Sequence, residues 1–256
     1  MTATTGYAAR AERYADEIAD VPMPDALHAL LGPGVRVAEL PSGSGHFLAT
    51  YAASGASTTL IDASPDMLDA AIVHAAKLGV PRPQTICRRA QDLVPEHGHV
   101  DLVVVTNGAL NQLAAQMAPA DVLTAARTIL TPGGLLLAQI LPPPGTAAAD
   151  RSCGFYDPTQ TDGHWVPDRE LRDETGRRLT RRRCQHHDGA LVHIDFELTC
   201  DGETTPRSRH SVELRLLTAR EIYTAAAVAG LTVASMRPGT GGLHEIVATR
   251  PARRSR

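Results

Sequence analysis

The feature that most constrains this chain is a short apolar run, Val35-Arg36-Val37-Ala38-Glu39-Leu40. It breaks into Pro41-Ser42-Gly43-Ser44-Gly45 and resumes as the helical stretch 46–53. A strand that turns through glycines into a helix opens a βαβ unit, because glycine tolerates the left-handed backbone and the close ligand approach that such a turn requires. The alternation then continues. Residues 58–61 form a second strand ending at Asp62, and Ser64 caps a helix that Pro65 opens and that runs to about Leu78. Residues 84–88 are a weaker strand; 100–106 are a strong one, continuously apolar from Leu102 to Val105, as burial on both faces demands. A helix over 118–130, a turn at Pro132-Gly133-Gly134 and a strand over 135–140 complete the series. Strands alternating with helices imply a parallel sheet with right-handed crossovers, so the fold class is α/β, Rossmann-like and doubly wound.

After Leu141 the pattern changes. Pro142-Pro143-Pro144 begins a loop through about Trp165, longer than the ~12–15 residues usual for a structureless connection, which reads as a lid over a site. Runs 177–187, 191–200 and 207–217 follow, joined by Asp188-Gly189 and Asp201-Gly202. Asp-Gly between alternating runs is a hairpin signal. Val192, Ile194, Phe196 and Leu198 share one face and His193, Asp195 and Glu197 the other, the pattern of an antiparallel meander with one wet face. Thr218 caps a helix that Gly230 stops, and 231–236 pairs with 244–249 to bring the main sheet to seven strands. Two helices, 7–18 and 25–31, precede the first strand. The organisation expected is one domain from 1–141 with 218–256, carrying 142–217 as an inserted β-meander cap.

Composition narrows the function. A net charge of −3 gives no global attraction to nucleic acid or anionic membrane. Arg177, Arg178, Arg181, Arg182 and Arg183 read as a solvated strand face. Aromatic content of 4% leaves no stacking platform for single strands. Cys87, Cys153, Cys184 and Cys200 form no CxxC pair, and no histidine cluster gives them zinc spacing, so no metal is expected. The opening residues carry Arg10, Glu12, Arg13, Asp16 and Glu17 rather than an apolar signal segment, and no run approaches the ~20 apolar residues of a membrane span. Cytoplasmic residence is the expectation.

The glycine loop lacks the third glycine of the dinucleotide fingerprint. It has instead Glu39 in the strand before it, a carboxylate that repels a pyrophosphate and suits an ammonium group. Asp62 ends the second strand, where nucleoside-binding α/β folds hold ribose hydroxyls. Ionised, both side chains accept hydrogen bonds only, as an amine and a sugar diol require.

With these residues in view, the sequence resembles the class I S-adenosylmethionine-dependent methyltransferases. Val37-Ala38-Glu39-Leu40-Pro41-Ser42-Gly43-Ser44-Gly45-His46-Phe47-Leu48 is similar to their motif I. Leu60-Ile61-Asp62-Ala63-Ser64-Pro65-Asp66-Met67-Leu68 resembles the acidic motif that follows. Residues 101–107 resemble the fourth-strand motif, and 130–136 the start of the fifth strand. The meander resembles the cap of small-molecule members, among them N-methyltransferases of amino sugars. The resemblance implies S-adenosyl-L-methionine as cofactor, held along Leu40, Gly43, Ser44 and Gly45. It implies that Glu39 reads the amino group and Asp62 the ribose, that Ala63 and Met67 pack on the adenine, and that Thr106 and Asn107 line the methionine end. Pro41 replaces the usual first glycine of motif I, stiffening the loop and removing one N–H. Where relatives place an acid for the adenine amine, Arg88-Arg89 stands here. That contact then falls to Ala90 and Gln91, or to Asp92 in a shifted alignment.

The implied reaction moves a methyl group to N or O of a small-molecule acceptor. Candidate catalytic side chains are Tyr14, on the N-terminal helix with Tyr7, and His164 at the end of the long loop. His46, His186, His187 and His193 read as surface or solvated-face residues, and Cys153 has no visible base. Two alternatives stay open: the same cofactor used for cyclisation or cleavage, and a non-catalytic partner that dimerises through the cap. A homodimer through the cap is also compatible with the enzyme.

Overall fold

The computed structural model describes residues 22–145, 155–172, 175–203 and 205–252. The helix expected over 7–18, with Tyr7 and Tyr14, and Cys153 lie outside them.

The first strand is β1 (Arg36–Glu39), preceded by the single turn α1 (Leu27–Leu30). After it come α2 (Leu48–Ser54), β2 (Ser57–Asp62), α3 (Pro65–Leu78), β3 (Gln84–Cys87), β4 (Val100–Val105), α4 (Ala109–Gln116), α5 (Pro119–Ile129) and β5 (Leu130–Ile140). The meander is β6 (Val166–Arg172), β7 (Arg178–Asp188), β8 (Leu191–Cys200) and β9 (Ser208–Arg215). The chain closes with α6 (Ala219–Val228), β10 (Thr232–Pro238) and β11 (His244–Thr249). One sheet has seven strands in the order β10-β11-β5-β4-β1-β2-β3; the other has four, β6-β7-β8-β9. β1 to β5 pair in parallel, whereas β11 is antiparallel to β5 and β10 to β11. Chain order reverses between β1 and β4, and in doubly wound sheets the crevice beyond the carboxyl ends at such a point is where ligands bind.

Local chemistry explains the elements. Ser64 Oγ accepts from Met67 N, Pro65 occupies the first turn of α3, and Gly79 ends it in the left-handed region. Thr218 and Glu221 form a reciprocal capping box on α6. Val122, Ala125, Ala126 and Ile129 of α5 meet Ile222, Ala225 and Ala226 of α6 in the main core, small side chains that let the helices approach closely. The opposite sheet face packs Leu27, Val37, Phe47, Tyr51, Leu102, Val104 and Leu137 together.

Three features depart from the sequence expectation. Helix α4 was not foreseen, although Leu110 and Ala114 stand four apart and are buried; its polar Asn111-Gln112 obscures the stripe. β5 starts at Leu130 rather than after the Pro-Gly-Gly turn, because Gly133 and Gly134 pair with Arg250. β6 falls within 166–176, to which the sequence expectation gives no element. Its Val-Pro-Asp-Arg-Glu-Leu-Arg composition suits only an edge strand, which it is. The arginine run is also corrected. Arg177 and Arg178 are exposed, but Arg181 and Arg183 are buried, sharing the inward face of β7 with Leu179 and Gln185.

The meander packs its apolar face inward. Val192, Ile194, Phe196, Val212 and Leu214 form a second core with Leu141, Tyr156 and Leu243, which stand at the carboxyl-end side of the main sheet. Asn111 on α4 ties the sheets together. Its amide donates to Leu141 O (2.9 Å) and Arg215 O (2.6 Å), and its carbonyl accepts from Leu141 N (2.8 Å).

Candidate functional site

The glycine loop lies at the crevice. Leu40 N donates to Val104 O and Ser42 N to Ile61 O, each at 2.9 Å, so the loop is anchored to both strands beside β1. Gly43 and Gly45 have φ of 51° and 76°. A Cβ on Gly45 would sit 2.5 Å from Leu48 Cδ1, so both conformation and space require glycine there. Asp62 sets the loop's height: one carboxylate oxygen accepts from Gly43 N and the other from Ser64 N, both at 2.9 Å. Each oxygen keeps a second acceptor site. Burial raises the Asp62 carboxyl above its ordinary value, and these backbone donors pull it part of the way back. His74 Nδ1 stands 3.1 Å from Ser44 O and braces the loop from α3.

Glu39 ends β1 and is 4% exposed. Its Oε2 has no hydrogen-bond partner among the described residues; the Tyr51 hydroxyl, buried beside it, does not reach bonding geometry either. Burial pushes the Glu39 carboxyl up to about 8, with Tyr51 opposing the shift and the Asp62 charge adding to it. A buried carboxylate with an open oxygen is costly unless a donor arrives.

At the end of β4, Asn107 adopts φ of 56° and Gly108 of 71°. Asn107 N donates to Gln139 Oε1 at 3.1 Å. Asn107 Oδ1, Gln139 Nε2 and Ser44 Oγ are buried without partners among the described residues. Together with Glu39 Oε2, they line the carboxyl-end crevice with acceptors and donors still to be satisfied, which is the fit expected for an amino-acid-like ligand. The sequence singles out Glu39, Asp62, Ser44, Thr106 and Asn107, which the structure brings to this crevice, but does not point to Gln139 and Tyr51. A lone glutamine inside the apolar stretch 135–140 was the signal for the former.

Other expected residues divide. Ala63 is exposed and Met67 is buried on the first turn of α3. The Leu40 and Ala90 side chains belong to the main core, leaving only their backbone for a ligand. Gln91, Asp92, Arg88 and Arg89 are exposed. His164 is exposed, its Nδ1 3.0 Å from Asp162 O. A cleft of about 380 Å³ opens at the amino ends of the strands, lined by Arg36, Thr58, Arg82 and His99 among others, and Glu39, Asp62, Asn107 and Gln139 do not border it. The crevice is therefore identified by its chemistry rather than by open volume.

Comparison with known proteins fits this geometry. Residues 37–134 match the family described as a methyltransferase domain. That match identifies residues 37–134 as a methyltransferase domain, and the sheet order is in keeping with it. No curated protein matches the chain. Among solved structures it is similar to the CcbJ methyltransferase from Streptomyces caelestis, at 20% identity over 95% of this chain and 90% of that one, with a TM-score of 0.69. It is similar to CalS10 from Micromonospora echinaspora, an amino pentose methyltransferase solved with S-adenosylmethionine bound, at 21% identity over 96% and 92%, TM-score 0.65. The sugar N-methyltransferase KedS8 from Streptoalloteichus sp ATCC 53650 matches at 20% identity over 96% and 87%, TM-score 0.65.

Proposed function

We propose that this chain transfers a methyl group from S-adenosylmethionine to a nitrogen or oxygen of a small molecule, an amine on a sugar-like metabolite being the first acceptor to try. The observation that carries the reading is the buried, unpartnered Glu39 Oε2 next to the Gly43–Asp62 bond. A carboxylate so placed calls for an ammonium, and the spare acceptor sites of Asp62 call for a diol. Gly43 and Gly45 leave room for the amino-acid part, Thr106 and Asn107 line its far end, and Met67, Ala63, Ala90 and Gln91 frame the base. Bound there, the cofactor supplies an electrophilic methyl group on a sulfonium. The chain's contribution is chiefly to hold the acceptor in line with that methyl, an effect worth about 7–11 kcal/mol in well-oriented systems. Small-molecule specificity falls to the meander, whose apolar face closes over the carboxyl ends while charged pairs such as Arg209–Glu197 stay outside. That arrangement leaves no open apolar strand face in the described meander for a dimer. Tyr14 and His164 are carried as candidate catalytic side chains.

The test is an incubation of the full chain with S-adenosylmethionine and a small-molecule extract, read by mass spectrometry. Compounds gaining one methyl group, with S-adenosylhomocysteine in step, support the proposal. Methylthioadenosine as the only nucleoside product contradicts methyl transfer and favours cleavage of the cofactor.

A further inference from the structure

The cleft of about 380 Å³ at the amino ends of β1 to β4, opposite the glycine loop, has a lining of cations and hydrogen-bond donors. Arg36, Arg82, His97 and His99 border it, and no aspartate or glutamate among the described residues does. That is a local excess, since the chain carries 28 acids against 25 lysines and arginines. Arg36 is already held: its guanidinium forks onto Asp101 at 2.9 and 2.7 Å. Arg82 and His99 are exposed, and their side chains have no hydrogen-bond or ion-pair partner among the described residues. His97 Nδ1 accepts from Val94 N at 3.0 Å, so the ring's N–H sits on Nε2. Thr59 Oγ1 donates to Gln84 Oε1 at 3.4 Å, which leaves the Gln84 amide N–H groups as donors. Leu48 and Ala52 supply an apolar wall beside these groups. Leu48 also lies between the cleft and the glycine loop, because its Cδ1 is the atom nearest to a Cβ placed on Gly45.

From this lining we infer that the cleft is a second binding site, for a small phosphate monoester, separate from the crevice around Glu39 and Asp62. An anion only accepts hydrogen bonds, so it satisfies a lining made of donors. Arg82 comes from the loop before β3, Gln84 from the start of that strand, and His97 and His99 from the loop before β4. Donors that approach from separate elements suit a tetrahedral group with three terminal oxygens better than a planar carboxylate with two. A guanidinium with no carboxylate partner is the side chain best matched to phosphate oxygens. The volume is that of a small-molecule site, and the Leu48–Ala52 wall gives the ester's apolar body a surface to lie on. The two ends of the sheet are thus divided by charge. Glu39 and Asp62 make the carboxyl end unfit for a dianion, and the amino end carries no acid in its lining. The inference stands apart from the methyl-transfer reading and does not depend on it.

Phenyl phosphate is the probe, with benzoate as its planar counterpart and phenol as its neutral one. Each is titrated calorimetrically into the full chain in phosphate-free buffer at low salt. One equivalent of phenyl phosphate should bind with a Kd of about 1 mM or tighter, benzoate about fivefold more weakly or worse, and phenol more weakly still. Arg82→Gln and His99→Gln should each weaken the probe about fivefold or more. Both are exposed loop positions, so thermal unfolding should stay within about 2 °C of the wild type. Saturation with S-adenosylhomocysteine should leave the probe's affinity within about twofold. No saturable binding of phenyl phosphate, or phenol bound equally well, overturns the inference from the wild type alone. Benzoate bound as tightly as the probe overturns the phosphate assignment. Affinity unchanged by both substitutions, or a probe displaced by S-adenosylhomocysteine, puts the anion elsewhere and overturns it too. A chain that binds the probe as predicted but takes up no S-adenosylhomocysteine supports this site and counts against the cofactor reading alone.

Discussion

Glu39 concentrates the chemistry of the crevice in one side chain. Its carboxyl, at about 8 in the fold against an ordinary 4.5, is protonated in both folded and unfolded chains below the lower value. As pH rises through that window the unfolded chain ionises first, so the ligand-free protein loses stability between about 4.5 and 8. Glu39→Gln should flatten that decline and raise ligand-free stability at pH 8 by about 1–3 kcal/mol, read by urea unfolding across pH. An ammonium ligand reverses the preference. At pH 7 its binding should release a proton from Glu39, seen as a buffer-dependent calorimetric enthalpy, and the glutamine variant should lose both the release and about 10–100-fold in affinity. Gly45→Ala, which combines φ of 76° with a 2.5 Å approach to Leu48, should cost about 1–3 kcal/mol in thermal unfolding. Glu39 and Asp62 were legible in the sequence because a carboxylate at a strand end beside a glycine turn has few structural uses. His187 was not. Nothing local distinguishes a surface histidine from one that the loop before β6 meets with Asp162 and Tyr156.

Elements were legible where one period ran long enough. α3, β4 and the β7–β8 hairpin carry their own caps, apolar runs and turn residues, and the structure places them within a few residues of the sequence expectation. β6 and the buried arginines depend on each other, which is why both were missed. Arg181 forks onto Asp168 at 3.0 and 2.9 Å, and both side chains are about 5% exposed. The guanidinium also lies 4.8 Å over the Phe196 ring. Without β6 to supply Asp168, five arginines in one run read as a wet face. Arg181→Ala, leaving that carboxylate buried and unpaired, should destabilise by about 3–5 kcal/mol in urea unfolding. Asn111→Ala removes three hydrogen bonds, two of them buried, between α4, the end of β5 and β9. It should cost about 2–4 kcal/mol and leave cofactor affinity little changed, since none of these bonds touches the glycine loop.

Across the whole molecule, the two sheets divide the work. The parallel strands bring Glu39, Asp62 and Asn107 to one edge because chain order reverses at β1, and the meander covers that edge with an apolar face pinned by Asn111. The alternation of strands and helices sufficed to foresee the first sheet. The way the second folds back onto the first depended on long-range contacts, above all α4 against β9, that no local period encodes. The central claim is that the crevice holds S-adenosylmethionine through Glu39 and Asp62. The direct measurement is calorimetric titration of the wild-type chain and Asp62→Ala with S-adenosylmethionine, with NADH as the control nucleotide. Saturable binding of S-adenosylmethionine to the wild type, weakened about 10–100-fold or more in the variant, with no uptake of NADH, is the result predicted. Tight NADH binding, or S-adenosylmethionine affinity unchanged by Asp62→Ala, contradicts it.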